Sequence, residues 1–313
     1  MKAFKVISPG PMTTIQDLGR FSFMDRGVPP SGTLDSFSCR VANTLVGNGH
    51  NCAVLETTFM GPSLEALCDM DIALTGADSN LTVNGNKVEG WRSHSVKSGD
   101  VIRIASASSG CRGYLALTGG IDVPVVMGSR STFVRARIGG IEGRALIKGD
   151  ILGRGPGSLL KQPRILPQEL IPKYTREITL RAIPGPQDRA FREEMTVFFS
   201  SVYEVSAQTD RMGCRLKGHA VRHDPGAPRS IVTEATVPGN IQVPEDGLPI
   251  ILLVEQTTGG YTKIATVIST DISLLAQALP GHKAAFERVS VERAHELYRG
   301  QMRLISTVTG LFD

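Results

Sequence analysis

"LTGGID", residues 117–122, returns in altered form as "TTGGYT", residues 257–262. Both carry a Thr-Gly-Gly core, at 118–120 and at 258–260. Upstream of each lies a second matched pair, "LETTFMGP" (55–62) and "TEATVPGN" (233–240), which aligns Glu56 with Glu234, Thr58 with Thr236 and Gly61 with Gly239. A third match is "PGP" at 9–11 and at 184–186. Short matches in the same order on either side of a central break indicate an internal duplication. The break is "GRGPGSLLKQPRILPQELIPKY" (153–174), a Gly-Pro-Gly followed by a proline-rich stretch that reads as a linker. The expected organisation is a first domain over 1–155, a linker over 156–175 and a second domain over 176–313.

Local patterns make both halves mainly β. "LTVNGNKV" (81–88) alternates apolar and polar residues around Asn84-Gly85, which signals a two-residue hairpin whose turn positions both favour positive φ. "GDVIRIAS" (99–106), "RGYLALTGGI" (112–121) and "REITLRAI" (176–183) read as further short strands. Helices are few. "DSFSCRVANTLVGN" (35–48) places Phe37, Val41, Ala42 and Leu45 on one face, with Asp35 as N-cap and Gly47 as the stop. "DRAFREEMTVFF" (188–199), "DISLLAQALPG" (271–281) and "SVERAHELYRGQM" (290–302) follow the same period. Short strands at close spacing with glycine-rich turns favour a barrel or sandwich in each half.

Composition narrows the functional classes. The chain has 313 residues, 41% apolar and 20% charged, with 34 glycines, a balance that folds rather than stays disordered. The net charge of +4 is spread without a basic block, so nucleic acid and anionic membrane are not expected partners. The opening "MKAFKVISPG" has no apolar core of a leader, and runs such as "PIILLV" (249–254) fall far short of the ~20 residues of a membrane span. Five scattered cysteines without a C-x-x-C pair suggest reduced thiols and a cytoplasmic protein. His219 and His223 form H-x-x-x-H, but Ala220 stands where a zinc protease has its glutamate, so no metal is expected. "GRGPG" (153–157) lacks the strand-to-helix context of a nucleotide loop.

Three polar clusters remain. In the first, "TTIQDLGR" (13–20) and "GVPPSGTLD" (27–35), Asp17 and Arg20 can bind a ligand or pair with each other. Ser31-Gly32 precedes a helix whose N-terminus favours an anion. In the second, "QTDRMGCRLKG" (208–218), Asp210 and Arg211 sit among apolar residues, where an arginine needs a ligand or a carboxylate such as Glu234. The third is "EQTTGGYTKIA" (255–265) with Gln242 of "PGNIQVPEDG" (238–247). Gln256, Thr257, Thr258, Tyr261 and Lys263, with the amides of Gly259 and Gly260, form a loop suited to a small amide, carboxylate or phosphate.

These segments, with "YLALTGGIDVPVVMGSRST", "GGIEGRALIKGD", "PGPQ", "DRMGCRL" and "LAQALPG", resemble the KipA family, also called the allophanate hydrolase subunit 2 or biotin-dependent carboxyltransferase family. The resemblance runs in order from residue 9 to about 281. It implies two cyclophilin-like β-barrel domains related by duplication, with two partner chains, one KipI-like and one LamB/YcsF-like. It further implies an ATP-dependent 5-oxoprolinase complex that opens the lactam 5-oxo-L-proline to L-glutamate, with ATP held mainly by a partner. Two other roles are implied as alternatives. One is a regulatory module that binds and antagonises a KipI-like kinase inhibitor. The other is a carboxyltransferase component acting on urea or another amide with biotin supplied by another chain. Lactam activation needs cations and N–H groups facing developing negative charge, which casts Lys263 and Arg211 as catalytic with Glu234 orienting the lactam N–H. Relatives usually carry proline after "TTGGY"; here Thr262 stands there.

Overall fold

In the computed structural model, which describes Met1–Phe312, Asn84 and Gly85 both adopt left-handed backbone, with φ of 52° and 81°, and the expected hairpin forms around them. It belongs to the first of two units, made of Met1–Arg20, Ser31–Tyr174 and the chain from Leu304 onward. This unit holds β1 (Lys2–Ser8), β2 (Thr13–Gln16), β3 (Val54–Thr58), β4 (Ser63–Ala66), β5 (Met70–Val83), β6 (Asn86–Val88), β7 (Ser93–Val96), β8 (Val101–Leu117), β9 (Ile121–Asp122) and β10 (Ile151–Arg154). The ladder runs β2-β3-β8-β4-β1-β10-β9, and β5 pairs with β6, β7 and β8. Phe4, Ile15, Leu55, Leu64, Ile72 and Leu115 are among the side chains that fill its core. The two strands expected over 99–106 and 112–121 are one strand, β8, antiparallel to β5 along most of its length. Register shifts between Gly76 and Leu81 absorb the polar stretch Ser106–Gly110 without a turn.

Helix α1 (Ser36–Leu45) is capped as expected: Asp35 Oδ1 accepts the Ser38 N–H at 3.0 Å and Oδ2 accepts the Ser38 hydroxyl at 2.7 Å. Gly47, with φ of 75°, follows its end. The proline-rich stretch is not a free spacer. The Leu160 N–H bonds Asp71 Oδ2 at 2.7 Å, the Arg164 N–H bonds Ser93 Oγ at 2.8 Å and the Leu166 N–H bonds the Trp91 carbonyl at 3.0 Å, so it is tied to the first unit.

The second unit comprises Phe21–Pro30 and Thr175–Arg303. Its strands are β11 (Glu177–Pro184), β12 (Val202–Thr209), β13 (Gly213–Lys217), β14 (Ser230–Ala235), β15 (Asn240–Val243), β16 (Ile250–Leu252), β17 (Thr258–Val267) and β18 (Lys283–Arg288). The order β11-β18-β12-β13-β16-β15-β17 returns to β11, which pairs with both β18 and β17, so seven strands close a ring. β14 adds to the start of β17 outside that ring. Leu180, Tyr203, Leu216, Ile251, Ile264 and Phe286 are buried in this unit, and Phe198 of α2 (Met195–Ser200) stacks on Phe286 at 4.6 Å between centroids. Closure leaves few open edges, the arrangement expected of a small barrel. Two further helices, α3 (Ile272–Ala276) and α4 (Val291–Gly310), complete the chain, the last longer than its sequence pattern suggests. Among the described residues no helix is long and apolar enough to cross a membrane.

The two Thr-Gly-Gly segments occupy different places in their units. Gly119 and Gly120, with φ of 81° and 68°, turn the chain after β8, and the Gly119 N–H bonds Asn48 Oδ1 at 2.7 Å. A side chain on Gly119 would strike the Gly155 carbonyl oxygen at 2.3 Å. Gly259 and Gly260 instead lie near the start of β17. The matched glutamates correspond more closely. Glu56 on β3 faces Arg112 on the neighbouring β8, and Glu234 on β14 faces Lys263 on the neighbouring β17.

Candidate functional site

β17 supplies the centre of the third cluster. The sequence predicts a ligand-binding loop within 255–265; from Thr258 onward these residues are strand, and the turn before them is at Val254-Glu255. β17 is antiparallel to β14, where Glu234 stands opposite Gly259, and to β15, where Gln242 stands opposite Lys263. Lys263 is 1% exposed. Its ammonium bonds Glu234 Oε1. Gln187, from the "PGPQ" turn after β11, joins the pair: its Nε2 donates to Glu234 Oε1 at 3.0 Å while its Oε1 accepts the Lys263 N–H at 3.1 Å. The carboxylate therefore receives two donors, and they hold it below the usual carboxylate range, Lys263 first and Gln187 second. The Glu234 side chain stays 43% exposed, so one end of this ion pair is buried and the other meets solvent.

The neighbours of that pair are also set by β17. Thr262 is buried, and its hydroxyl shares a 2.7 Å hydrogen bond with His223 Nε2. The His223 ring packs on Phe191 at 4.5 Å between centroids. Gln256 Nε2 donates to the Thr258 carbonyl, the Thr257 carbonyl accepts the Thr236 N–H at 2.9 Å, and Tyr261 is 44% exposed. Gln242 is only 4% exposed, and its Nε2 finds no acceptor among the described residues.

Arg211 does not join Lys263. Its Nε donates to Glu255 Oε1 at 2.5 Å, with both side chains buried, and the Glu255 N–H bonds the Arg211 carbonyl at 3.0 Å. Glu255, not Glu234, is thus the carboxylate that this arginine needs. Asp210 closes the adjoining turn through the amides of Met212 and Gly213, at 2.7 and 3.1 Å.

The first cluster builds a separate network in the first unit. Asp17 Oδ1 accepts the Gly19 N–H at 2.9 Å and the hydroxyls of Ser129 and Ser131 at 2.6 and 2.5 Å, while Oδ2 accepts the Arg130 N–H at 2.6 Å. Arg20 is fully buried and donates to the carbonyls of Val126 and Ser131, at 3.1 and 2.8 Å. Burial pulls its pKa down, with Asp17 opposing. Both side chains therefore pin the 126–131 loop. Ser31, at φ of 52°, and Gly32 lead into α1, but an anion there would meet two carboxylates. Glu56 Oε2 accepts the Leu34 N–H at 3.1 Å and the Tyr114 hydroxyl at 2.9 Å, and Asp35 takes the Ser38 N–H.

Sequence reasoning missed Gln187 and His223 as members of this site and gave no role to Glu255, the first residue of "EQTTGGYTKIA". The "PGP" repeat carried the only signal for Gln187; His223 is joined to β17 by tertiary packing, and Glu255 lies in the turn just before that strand. Among the described residues no group of three His, Cys, Asp or Glu side chains is placed to hold a metal ion.

Titration of three half-buried imidazoles has a measurable consequence. His50, His223 and His282 are all shifted below the ordinary histidine value, burial being the first cause in each. The unfolded chain, with a histidine pKa near ~6.5, then binds protons before the folded one, so stability falls as pH drops below about 6.5 towards the folded values. We expect the thermal midpoint to decrease between pH 7.5 and 5.5, and His223→Asn to show a smaller decrease. An equal decrease in that variant removes His223 from the account.

The profile of the "Carboxyltransferase domain, subdomain A and B" family matches residues 26–288. The C component of the 5-oxoprolinase of Escherichia coli (strain K12) is 38% identical over 302 residues, covering 96% of this chain and 95% of that protein. The C component of the Haemophilus influenzae 5-oxoprolinase is 35% identical over 300 residues, with 93% and 95% covered. The crystal structure of the Kluyveromyces lactis urea carboxylase aligns with a TM-score of 0.92 at 32% identity, over 98% of this chain and 29% of that longer one.

Proposed function

This chain belongs to the carboxyltransferase family of subdomains A and B, and from that membership we propose that it works as the C component of a 5-oxoprolinase. The observation that carries the reading is the near full-length identity with two proteins named as that component. The complex would hydrolyse 5-oxo-L-proline to L-glutamate with ATP, together with a KipI-like chain and a LamB/YcsF-like chain. In it, Lys263 stabilises negative charge developing on the lactam carbonyl oxygen, and Glu234 orients the lactam N–H. A buried ammonium with a half-exposed carboxylate suits that work, because the cation is desolvated while its partner faces incoming ligand. The amides of Gly259 and Gly260, with Gln256, Thr257, Thr258 and Tyr261, line the same strand start. Arg211 supports this strand start through Glu255.

The loop before α1 does not favour a phosphate. At α1, which follows the Ser31-Gly32 loop, Asp35 and Glu56 stand where a phosphate would lie. We propose that a partner chain holds ATP while the residues of this chain act on the amide. The likeness to a urea carboxylase favours one second reading, carboxyl transfer from biotin on another chain to an amide. Both readings place an amide at the same residues.

The test is reconstitution of this chain with its cognate partners, 5-oxo-L-proline and ATP, following glutamate and phosphate. ATP-dependent release of both is expected. Its absence, with carboxybiotin-dependent labelling of an amide instead, establishes the second reading.

A further inference from the structure

The face of β17 around Gly259 brings a free donor and a free acceptor side by side. Directly opposed residues of an antiparallel pair send their side chains to one face, with Cβ atoms about 5 Å apart. Glu234 opposes Gly259, so its side chain rises beside the position where a residue-259 side chain would stand. Gln242 fills that position: a Cβ built on Gly259 would lie 2.1 Å from Gln242 Nε2. Any residue but glycine at 259 would expel the carboxamide. Gln242 is itself more than nine-tenths buried, and its Nε2 finds no acceptor among the described residues. A buried donor left in that state is destabilising, and a ligand acceptor would offset the cost. On the other side, the bonds from Lys263 and Gln187 both fall on Glu234 Oε1, leaving Oε2 for a further donor.

An adjacent donor and acceptor match a particular kind of amide. In a trans amide the N–H and the carbonyl point to opposite edges, so one protein edge reaches only one of them. In a cis amide, as in a five-membered lactam, or in urea, an N–H and the carbonyl lie on the same edge. We propose that the Gly259 notch is a cradle for such a syn amide edge, with Gln242 Nε2 donating to the carbonyl oxygen and Glu234 Oε2 accepting the N–H. Lys263, bonded to Glu234 Oε1, adds positive charge on the same side. The inference deepens the lactam reading above and rests on it for the choice of ring. It makes Gln242 and Gly259 the residues that select the amide edge.

The test uses the chain in its reconstituted complex and the bare lactam 2-pyrrolidinone, with binding read by ligand-observed NMR. N-methyl-2-pyrrolidinone lacks the N–H, and cyclopentanone lacks the nitrogen. Wild-type complex is expected to bind 2-pyrrolidinone at least ~10-fold more tightly than either, as expected when a buried polar group loses its partner. All three rings keep the carbonyl, so Gln242→Leu and Gly259→Ala should each weaken 2-pyrrolidinone binding by at least ~10-fold, and Gln242→Leu should raise the KM for 5-oxo-L-proline more than it lowers kcat. Gly259→Ala is scored only if its circular dichroism matches wild type; Gln242→Leu decides the matter alone. Equal binding of the three rings, or a Gln242→Leu complex with wild-type affinity for 2-pyrrolidinone, overturns the cradle. A cradle that selects 2-pyrrolidinone in a complex that leaves 5-oxo-L-proline intact overturns the proposed reaction and keeps the cradle. Turnover that is indifferent to Gln242 does the reverse.

Discussion

Glu234→Ala and Lys263→Met are both expected to lower kcat of the reconstituted complex by about 100-fold, the usual loss when a charge aimed at the transition state is removed. Their effects on stability should differ. Glu234→Ala leaves an ammonium whose side chain is 2% exposed without its carboxylate, and breaking a buried pair in this way costs about 3 kcal/mol. Lys263→Met leaves a carboxylate that is 43% exposed and can hydrate, so its cost should stay near ~1 kcal/mol, in the range of exposed pairs. The urea midpoint of unfolding separates the two. Equal destabilisation would show that Glu234 does not compensate Lys263, and wild-type turnover in Lys263→Met would remove the lysine from the chemistry.

The second large effect concerns Arg211 and Glu255. Each side chain is buried, so Arg211→Met and Glu255→Leu should each destabilise the chain by about 3–5 kcal/mol. The double variant removes both charges at once and should recover most of the loss, because no buried ion is left alone. A strictly additive double variant would contradict direct pairing. The same variant separates support from catalysis. If Arg211 only holds Glu255 and the turn at 254–255, the folded double variant keeps turnover within roughly threefold of wild type. A further collapse of kcat would put Arg211 in the chemistry, as the sequence alone suggests.

The fold was legible wherever a local rule decided the backbone. Asn84-Gly85 made its hairpin because both residues tolerate positive φ, and Asp35 capped α1 because its carboxylate reaches the free amide of Ser38. Pattern failed where pairing overrode it. The polar Ser106–Gly110 reads as a break, yet β5 accommodates it through bulges, and the proline-rich 156–174 reads as a spacer although side chains of Asp71 and Ser93 hold it down. The site followed the same division. Lys263 was visible within the polar stretch "EQTTGGYTKIA", and Glu234 through its match with Glu56. Their partners Gln187 and His223 lie 76 and 39 residues from Lys263 and Thr262 in the chain, and nothing local connects them. The Thr-Gly-Gly match was sound as sequence but joined a turn to a strand, because glycine serves both tight turns and close approaches.

The ring of the second unit is closed by its outermost strands. β11 pairs in parallel with β18, so Glu177 is matched to Lys283 and Ala182 to Arg288. During synthesis, a nascent chain that has emerged only as far as β17 has its β11–β17 seam available but lacks the strand that joins β11 to β12. The barrel must therefore wait on the ribosome, with the rim of β11 and β12 uncovered, until Arg288 is out. Long-range parallel closure of this kind is slow and exposes unpaired edges to association. The interval in which this unit's rim is most open to association is accordingly the one between emergence of Val267 and of Arg288.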